Sequence, residues 1–275
     1  MRIACGVEYN GSHYHGWQLQ PHANSVQAEV EKALSKIADH PVRVYCAGRT
    51  DTGVHATGQV IHFDTQAQRR PYQWVFGGNS ILPKDIALTW AQPVSEDFHA
   101  RFQAVERAYR YIVYTRDVRS ALTPGCVSWW LKKADVAAMQ AAAACLIGEH
   151  DFTSFRSVAC QAKSPVRQLR RLSVQRQGDF IYIDLRADGF LHHMVRNIAG
   201  VLLAVGSADQ PVEWAEQVLL ARDRTQAGVT ATPNGLYLTD VRYPDSYAIP
   251  RRGYQPEFGG VLSNEAASDT IADPR

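Results

Sequence analysis

The run Ala47-Gly48-Arg49-Thr50-Asp51-Thr52-Gly53-Val54-His55-Ala56 sets one carboxylate, Asp51, beside one guanidinium, Arg49, between two glycines. Glycines at 48 and 53 permit dihedrals closed to other residues, so the segment reads as a tight turn. A carboxylate displayed on such a turn by flanking strands is held rigidly and still reaches a cleft. The residue types alone leave a second reading open, a turn-forming Asp with a solvated Arg nearby. A different chemistry is raised by His55, His62, His192 and His193, which could converge on a metal and serve a hydrolase. No pair among them has the i, i+4 spacing that puts two imidazoles on one helix face. His192 and His193, adjacent on a helix, point roughly 100° apart, so the spacing disfavours a metal site.

The elements around the turn follow from patterning. Val42–Cys46 and Gln59–Phe63 are alternating and β-branched, which predicts strands on both sides of Asp51. The first half opens with a strand over Ile3–Tyr9. A helix follows, capped by Asn24 or Ser25, with Val26, Val30, Ala33, Leu34 and Ile37 as its apolar stripe. A helix near Pro71–Gly77 and a strand near Asp85–Trp90 complete that half. The second half begins with the aromatic strand Ala108–Tyr114 and continues with a helix over Asp135–Ile147. Strands near Val166–Arg176 and Phe180–Arg186 are joined by Gln177-Gly178-Asp179, a hairpin signal. A helix over Leu191–Val205 carries His193, Arg196 and Asn197. Another helix starts near Pro211, and a last strand lies near Gly235–Arg242. This succession, with few β-α-β alternations, predicts an α+β fold with mostly antiparallel sheet.

Composition narrows the class. The 275 residues suffice for one large domain or two of ordinary size. No apolar run is long enough to span a bilayer, and the N-terminus enters a strand with no signal-peptide core, so a cytoplasmic location is expected. The five cysteines are scattered without a Cys-x-x-Cys pair, which points to reduced thiols rather than a zinc site. Net charge is only +2, yet from Arg101 to Arg171 twelve basic residues face five acidic ones. A local excess of that size can follow a phosphate backbone.

The turn resembles the catalytic motif of the tRNA pseudouridine synthase A family, usually Gly-Arg-Thr-Asp-Ala-Gly-Val-His-Ala. Thr52 stands where the family usually has Ala. Further segments fall in the family's order: Tyr14-His15-Gly16-Trp17-Gln18, Ser25-Val26-Gln27, Asn79–Pro83, Asp97–Phe102, Tyr109-Arg110-Tyr111, Asp151–Arg156 and Phe190–Asn197. Each is weak alone, but their joint order over about 190 residues is specific.

The resemblance implies two α+β subdomains sharing an extended, mostly antiparallel sheet with the active-site cleft between them. We place them at 1–105 and 106–245, followed by an irregular or mobile tail over 246–275. It implies isomerisation of uridine to pseudouridine at positions 38, 39 and 40 of the tRNA anticodon stem-loop, by a homodimer. The uracil is detached through nitrogen and reattached through carbon with no net redox change, so no cofactor is expected. By the same resemblance Asp51 is the catalytic nucleophile and Tyr109 stacks on the base. Arg196 pairs with the nucleophile, and Arg49 fills the gap left by a flipped nucleotide. Arg196 sits in an apolar segment, where a cation is expected to be paired. Tyr111 and Tyr114 are read as ordinary strand aromatics, and His55 or His193 is expected to touch RNA phosphate. The alternative is a tRNA-binding protein that keeps the scaffold without catalysis.

Overall fold

The computed structural model describes residues 1–259. The N-terminal half contains β1 (Arg2–Tyr9), α1 (Val26–Ala38), β2 (Tyr45–Cys46), β3 (His55–Asp64), α2 (Pro71–Ile81) and β4 (Ile86–Val94). The second half contains β5 (Glu106–Tyr114), β6 (Ser128–Trp129), α3 (Val136–Ala144), β7 (Gly148–Asp151) and β8 (Val166–Gln177). It ends with β9 (Phe180–Ala187), α4 (Met194–Gly206), α5 (Trp214–Ala221) and β10 (Leu236–Arg242). The fold is α+β, built on one large, mostly antiparallel sheet of order β4-β1-β3-β10-β5-β9-β8-β7. Short β2 pairs with β3, and short β6 pairs with β5. The halves are joined by the last strand: β10 runs parallel to β3 and antiparallel to β5. Leu238 lies between Ala56 and Tyr109 in one register row.

Local chemistry explains the elements that matter for the cleft. The Ser25 hydroxyl accepts from the Ala28 N–H at 3.4 Å and caps α1. Val26, Val30, Ala33 and Leu34, at helical spacing, are buried against Ile3, Ile61 and Phe63. Asp135 caps α3 through the N–H groups of Ala137 and Ala138. The Gln177–Asp179 hairpin closes at Gly178, with φ of 56°. In the second core, Met139 and Ala142 of α3 and Ile198 and Leu202 of α4 pack on Tyr111, Leu172 and Ile183.

Leu236 and Leu238, two residues apart and so on one face of β10, enter the second and first cores respectively. Both helical layers therefore cover the same face of the sheet, and a cleft lies between them. Tyr109 is packed against both. The opposite face is covered by Ile112, Tyr114, Tyr182 and Tyr237 with Phe258 from the C-terminal segment. Tyr111 and Tyr114 thus face opposite ways along an unbroken strand.

Two expectations are corrected. The strand predicted over Val42–Cys46 is only two residues long. Val42 and Val44 donate their N–H groups to Ser35 Oγ and Glu31 Oε1 of α1, each at 2.9 Å, so helix side chains satisfy what a sheet neighbour otherwise would. The helix predicted from Leu191 begins at Met194, because His193 has φ of 65° and no left-handed residue continues a right-handed helix. In the segment assigned to the tail, residues up to 259 lie irregularly along the sheet. There Tyr182 Oη donates to the Phe258 carbonyl at 2.6 Å and Arg110 Nη1 to that of Pro256 at 3.1 Å. Residues 260–275 lie outside the described residues.

Candidate active site

The Asp51 turn is clamped on every side. Trp17 N–H donates to the Thr50 carbonyl at 3.0 Å, and Gly53 N–H to that of Tyr14 at 3.3 Å. Tyr9 Oη and Thr50 Oγ1 are 2.7 Å apart in a buried hydrogen bond. Gln59, fully buried on β3, accepts from Gly48 N–H at 3.3 Å and donates to the Gly48 carbonyl at 2.6 Å. Gly53 adopts φ of 78°, as the turn requires. Gly48 has no positive φ. Its missing side chain leaves open the space toward Tyr109 Oη, 3.7 Å from where a Cβ would stand. Thr52 is exposed, so the Ala-to-Thr departure places its extra atoms in solvent rather than against the clamp.

Across the cleft, the first turn of α4 faces the carboxylate. Arg196 Nη1 donates to Asp51 Oδ2 at 3.4 Å, and its Nε to the Ala231 carbonyl at 2.8 Å. The Ala231 N–H donates back to the Arg196 carbonyl at 3.1 Å, locking the 228–235 segment over α4. Asn197, buried, donates to the Phe155 carbonyl at 2.7 Å and accepts from Thr230 Oγ1 at 2.7 Å and Arg224 Nη2 at 3.2 Å. This polar knot fixes the helix turn from which Arg196 emerges.

Tyr109, on β5, stands on the cleft floor with Phe190 edge-on at 5.0 Å. Burial, reinforced by the nearby Asp51 carboxylate, holds its phenol above the usual range, so it stays protonated at neutral pH. Arg49 is exposed at the rim and, among the described residues, makes no hydrogen bond or ion pair. The structure therefore brings Asp51, Arg196 and Tyr109 to one place and leaves Arg49 at the entrance.

Sequence patterning does not single out Arg107 and disfavours the convergence of His192 and His193, yet all three stand at the cleft. Arg107 donates to the carbonyls of Ala47, Arg101, Ala104 and Asp188, and so braces the base of the turn against the second half. Burial among carbonyls pushes its pKa down. His192 Nε2 lies 3.3 Å from Asp51 Oδ1, and His193 Nε2 lies 3.4 Å from Oδ2. Helical spacing argued against this convergence, but the two histidines precede α4 and the left-handed His193 turns both rings toward the carboxylate. Their position just before an apolar helix was the signal available. His193 is held below its ordinary pKa mainly by burial and is neutral at pH 7. His55, expected to touch phosphate, is instead 1% exposed. It accepts from Gly11 N–H at 3.1 Å and bonds the Gly125 carbonyl at 2.9 Å, as a core pin.

The cleft measures about 1280 Å³. Arg49, Arg101, Arg107, Arg167 and Arg196 line it, against only Asp51 and Asp188 among acids. It is a positively charged trough with a carboxylate at its floor, suited to a polyanion carrying one reactive group.

The family described as tRNA pseudouridine synthase matches residues 6–103 and 142–244 of this sequence. The chain belongs to that family, which places it among RNA-modifying isomerases. Within it, the relatives are named tRNA pseudouridine synthase A. That of Nitrosococcus oceani is 57% identical over 251 residues, covering 91% of this chain and 97% of its own. That of Aeromonas salmonicida is also 57% identical over 251 residues, covering 91% and 93%. That of Coxiella burnetii is 53% identical over 257 residues, covering 94% and 98%. Among the described residues, no helix is long and apolar enough to cross a membrane.

Proposed function

We propose that this enzyme converts uridine to pseudouridine at positions 38, 39 and 40 of the tRNA anticodon stem-loop, with Asp51 as nucleophile. One observation carries the reading. Asp51 is the carboxylate on the floor of an arginine-lined cleft, rigid in its backbone and faced by Arg196 and Tyr109. A uridine in a stem must leave the base stack to reach that depth, and the trough is wide enough for a flipped nucleotide. The phosphates are met by the arginines at the rim, Arg49 first among them, which takes the space that the base vacates.

In the reaction the sugar carbon loses its bond to ring nitrogen and gains one to ring carbon. The proton displaced from that carbon is balanced by one gained at the nitrogen. Asp51 supplies the electron pair that allows the first bond to break, and Arg196, on Oδ2, orients it, with Oδ1 beside His192. Tyr109, protonated and held edge-to-face with Phe190, offers its ring to the freed uracil and its hydroxyl as a donor. Neutral His193 is available to accept a proton.

Recognition at three neighbouring positions implies reading of shape and backbone more than of base sequence. The same reading holds the enzyme to be a cytoplasmic homodimer with one tRNA spanning both subunits, and its two α+β subdomains to meet near Val105. The test is a map of pseudouridine in tRNA from cells lacking the protein, rescued by the wild-type gene or by Asp51→Ala. Loss at 38–40 restored only by the wild type supports the reading. Restoration by Asp51→Ala sinks it and leaves a tRNA-binding role on the same scaffold.

A further inference from the structure

We propose that Asp51, His192 and His193 form a binding site for a divalent transition metal of the zinc type, and that metal bound there inhibits the enzyme. The second clause rests on the function proposed above, whereas the first rests on the donor geometry alone. One oxygen of Asp51 and one ring nitrogen from each histidine all lie within 4.8 Å of one another. His192 Nε2 is 3.3 Å from Oδ1 and His193 Nε2 is 3.4 Å from Oδ2. Ligands about 2.0–2.1 Å from a tetrahedral zinc stand about 3.3 Å apart, so the His192–Oδ1 pair already has the length of one edge of the tetrahedron. The three donor atoms lie within 4.8 Å, so rotation of the carboxylate and of the His193 ring closes the other two edges. The imidazoles, with centroids 4.1 Å apart, are held side by side by the left-handed backbone of His193 rather than by helical spacing.

Two histidines and a carboxylate are a donor set that zinc, cobalt and nickel share, and three protein ligands leave an open position toward the cleft. One feature opposes the metal: the Arg196 guanidinium, 3.4 Å from Asp51 Oδ2. It engages Oδ2 alone. Oδ1 faces His192, and a carboxylate has lone pairs for both partners. Another feature sets the strength. Among the described residues, neither His192 nor His193 makes a hydrogen bond through its second ring nitrogen, the support that tight zinc sites have. The site is therefore weak and exchangeable, filled when free metal rises. A metal on Asp51 occupies the electron pair and the space that a flipped uridine needs, so binding of the two is mutually exclusive.

The test uses the full chain, freed of metal by a chelator and titrated with Co²⁺ followed by its visible absorption, then with Zn²⁺ in competition. One Co²⁺ per chain with the intense bands of a four-coordinate site is expected. His192→Asn, His193→Asn and Asp51→Asn should each weaken binding about tenfold or more, while His150→Asn, remote from the cleft, leaves it unchanged. Melting curves verify that the variants fold, and half-exposed His192 is the safest of them. Removing the competing cation with Arg196→Gln should tighten binding. Absence of Co²⁺ binding, or equal binding by the three site variants, overturns the site. In the activity arm, chelated enzyme keeps full activity. Added Zn²⁺ lowers it, and more tRNA relieves the inhibition. Zinc that binds without lowering activity, or activity lost on chelation, overturns the inhibitory role. Activity absent both before and after chelation sinks the proposed reaction instead, since the cobalt titration reads the site without tRNA.

Discussion

The two faces of the cleft are held in opposite ways. The Asp51 turn is fixed by its own backbone: Trp17, Gly53, Gln59 and Arg107 all bond main-chain groups between Ala47 and Gly53 or from there to Tyr14. The facing turn of α4 presents side chains instead. Arg196 reaches Asp51 at the end of a long stem, and the two imidazoles approach it within 3.4 Å without aligned hydrogen bonds. One wall is thus a rigid mount for a single charge, and the other is an adjustable set of cations and rings around it. The mount should fail all at once, and the adjustable wall by degrees.

The largest effect is expected where the rigid wall carries its one reactive group. Asp51→Ala and Asp51→Asn should lower single-turnover pseudouridine formation on the order of 10⁴-fold or more, with unchanged melting temperature, because the clamp uses backbone atoms. An Asn variant within tenfold of wild type would show that position matters and the carboxylate does not. Across the cleft, Arg196→Ala should cost about 10²–10³-fold in kcat, with tRNA affinity changed far less. A loss confined to affinity would make Arg196 a phosphate contact rather than the partner of Asp51.

This contrast also explains what was legible in the sequence. The turn announces itself locally, through its glycines, its β-branched flanks and its motif, and α1 and the β8–β9 hairpin are likewise written in short-range pattern. The strand order is not. No local signal shows that Leu236–Arg242, the last strand, inserts between β3 and β5 and so brings Tyr109 beside Asp51. Nor does periodicity reveal the left-handed His193, because a helical wheel has no meaning one residue before the helix. The shortness of β2 is hidden for a related reason, since Glu31 and Ser35 take backbone groups that alternation alone would give to a sheet.

Behind the rigid wall, β3 carries a pH limit. His62 is 1% exposed, stacked on Tyr45, and accepts the Ala100 N–H at Nδ1 at 3.1 Å. Burial, with smaller contributions from His99 and Arg2, pushes its pKa down to about 4. The unfolded chain binds that proton near pH 6.5, so stability is unaffected above 6.5 and falls as pH drops from there toward 4. The loss is at most about 3 kcal/mol. Urea denaturation at a series of pH values should show this slope in wild type and a shallower one in His62→Asn. Parallel slopes would move the pH limit elsewhere. A smaller stability cost is expected at Gly16, which has φ of 88° and would bring a Cβ to 2.7 Å from the Thr50 carbonyl. Gly16→Ala should destabilise by about 1–2 kcal/mol and lower kcat as well, since the strain enters the turn itself. A fully active Gly16→Ala would show that the clamp can relax without moving Asp51.

Arg49 gives the smallest expected effect and the sharpest contrast. It is two residues from Asp51 and shares its turn, yet it is exposed and, among the described residues, unpaired. The clamp fixes its backbone, while its guanidinium is left for the substrate. Arg49→Ala should therefore leave stability within about 0.5 kcal/mol of wild type. It should weaken tRNA binding severalfold and reduce the slope of log affinity against log salt by about one. Arg49→Lys separates two uses of the side chain. An ammonium keeps the phosphate contact but cannot stack as a plane. Restored affinity with kcat still depressed would assign Arg49 to the space vacated by the flipped base. Full recovery of both would reduce it to a phosphate contact, and the rigid wall would then hold one functional group instead of two.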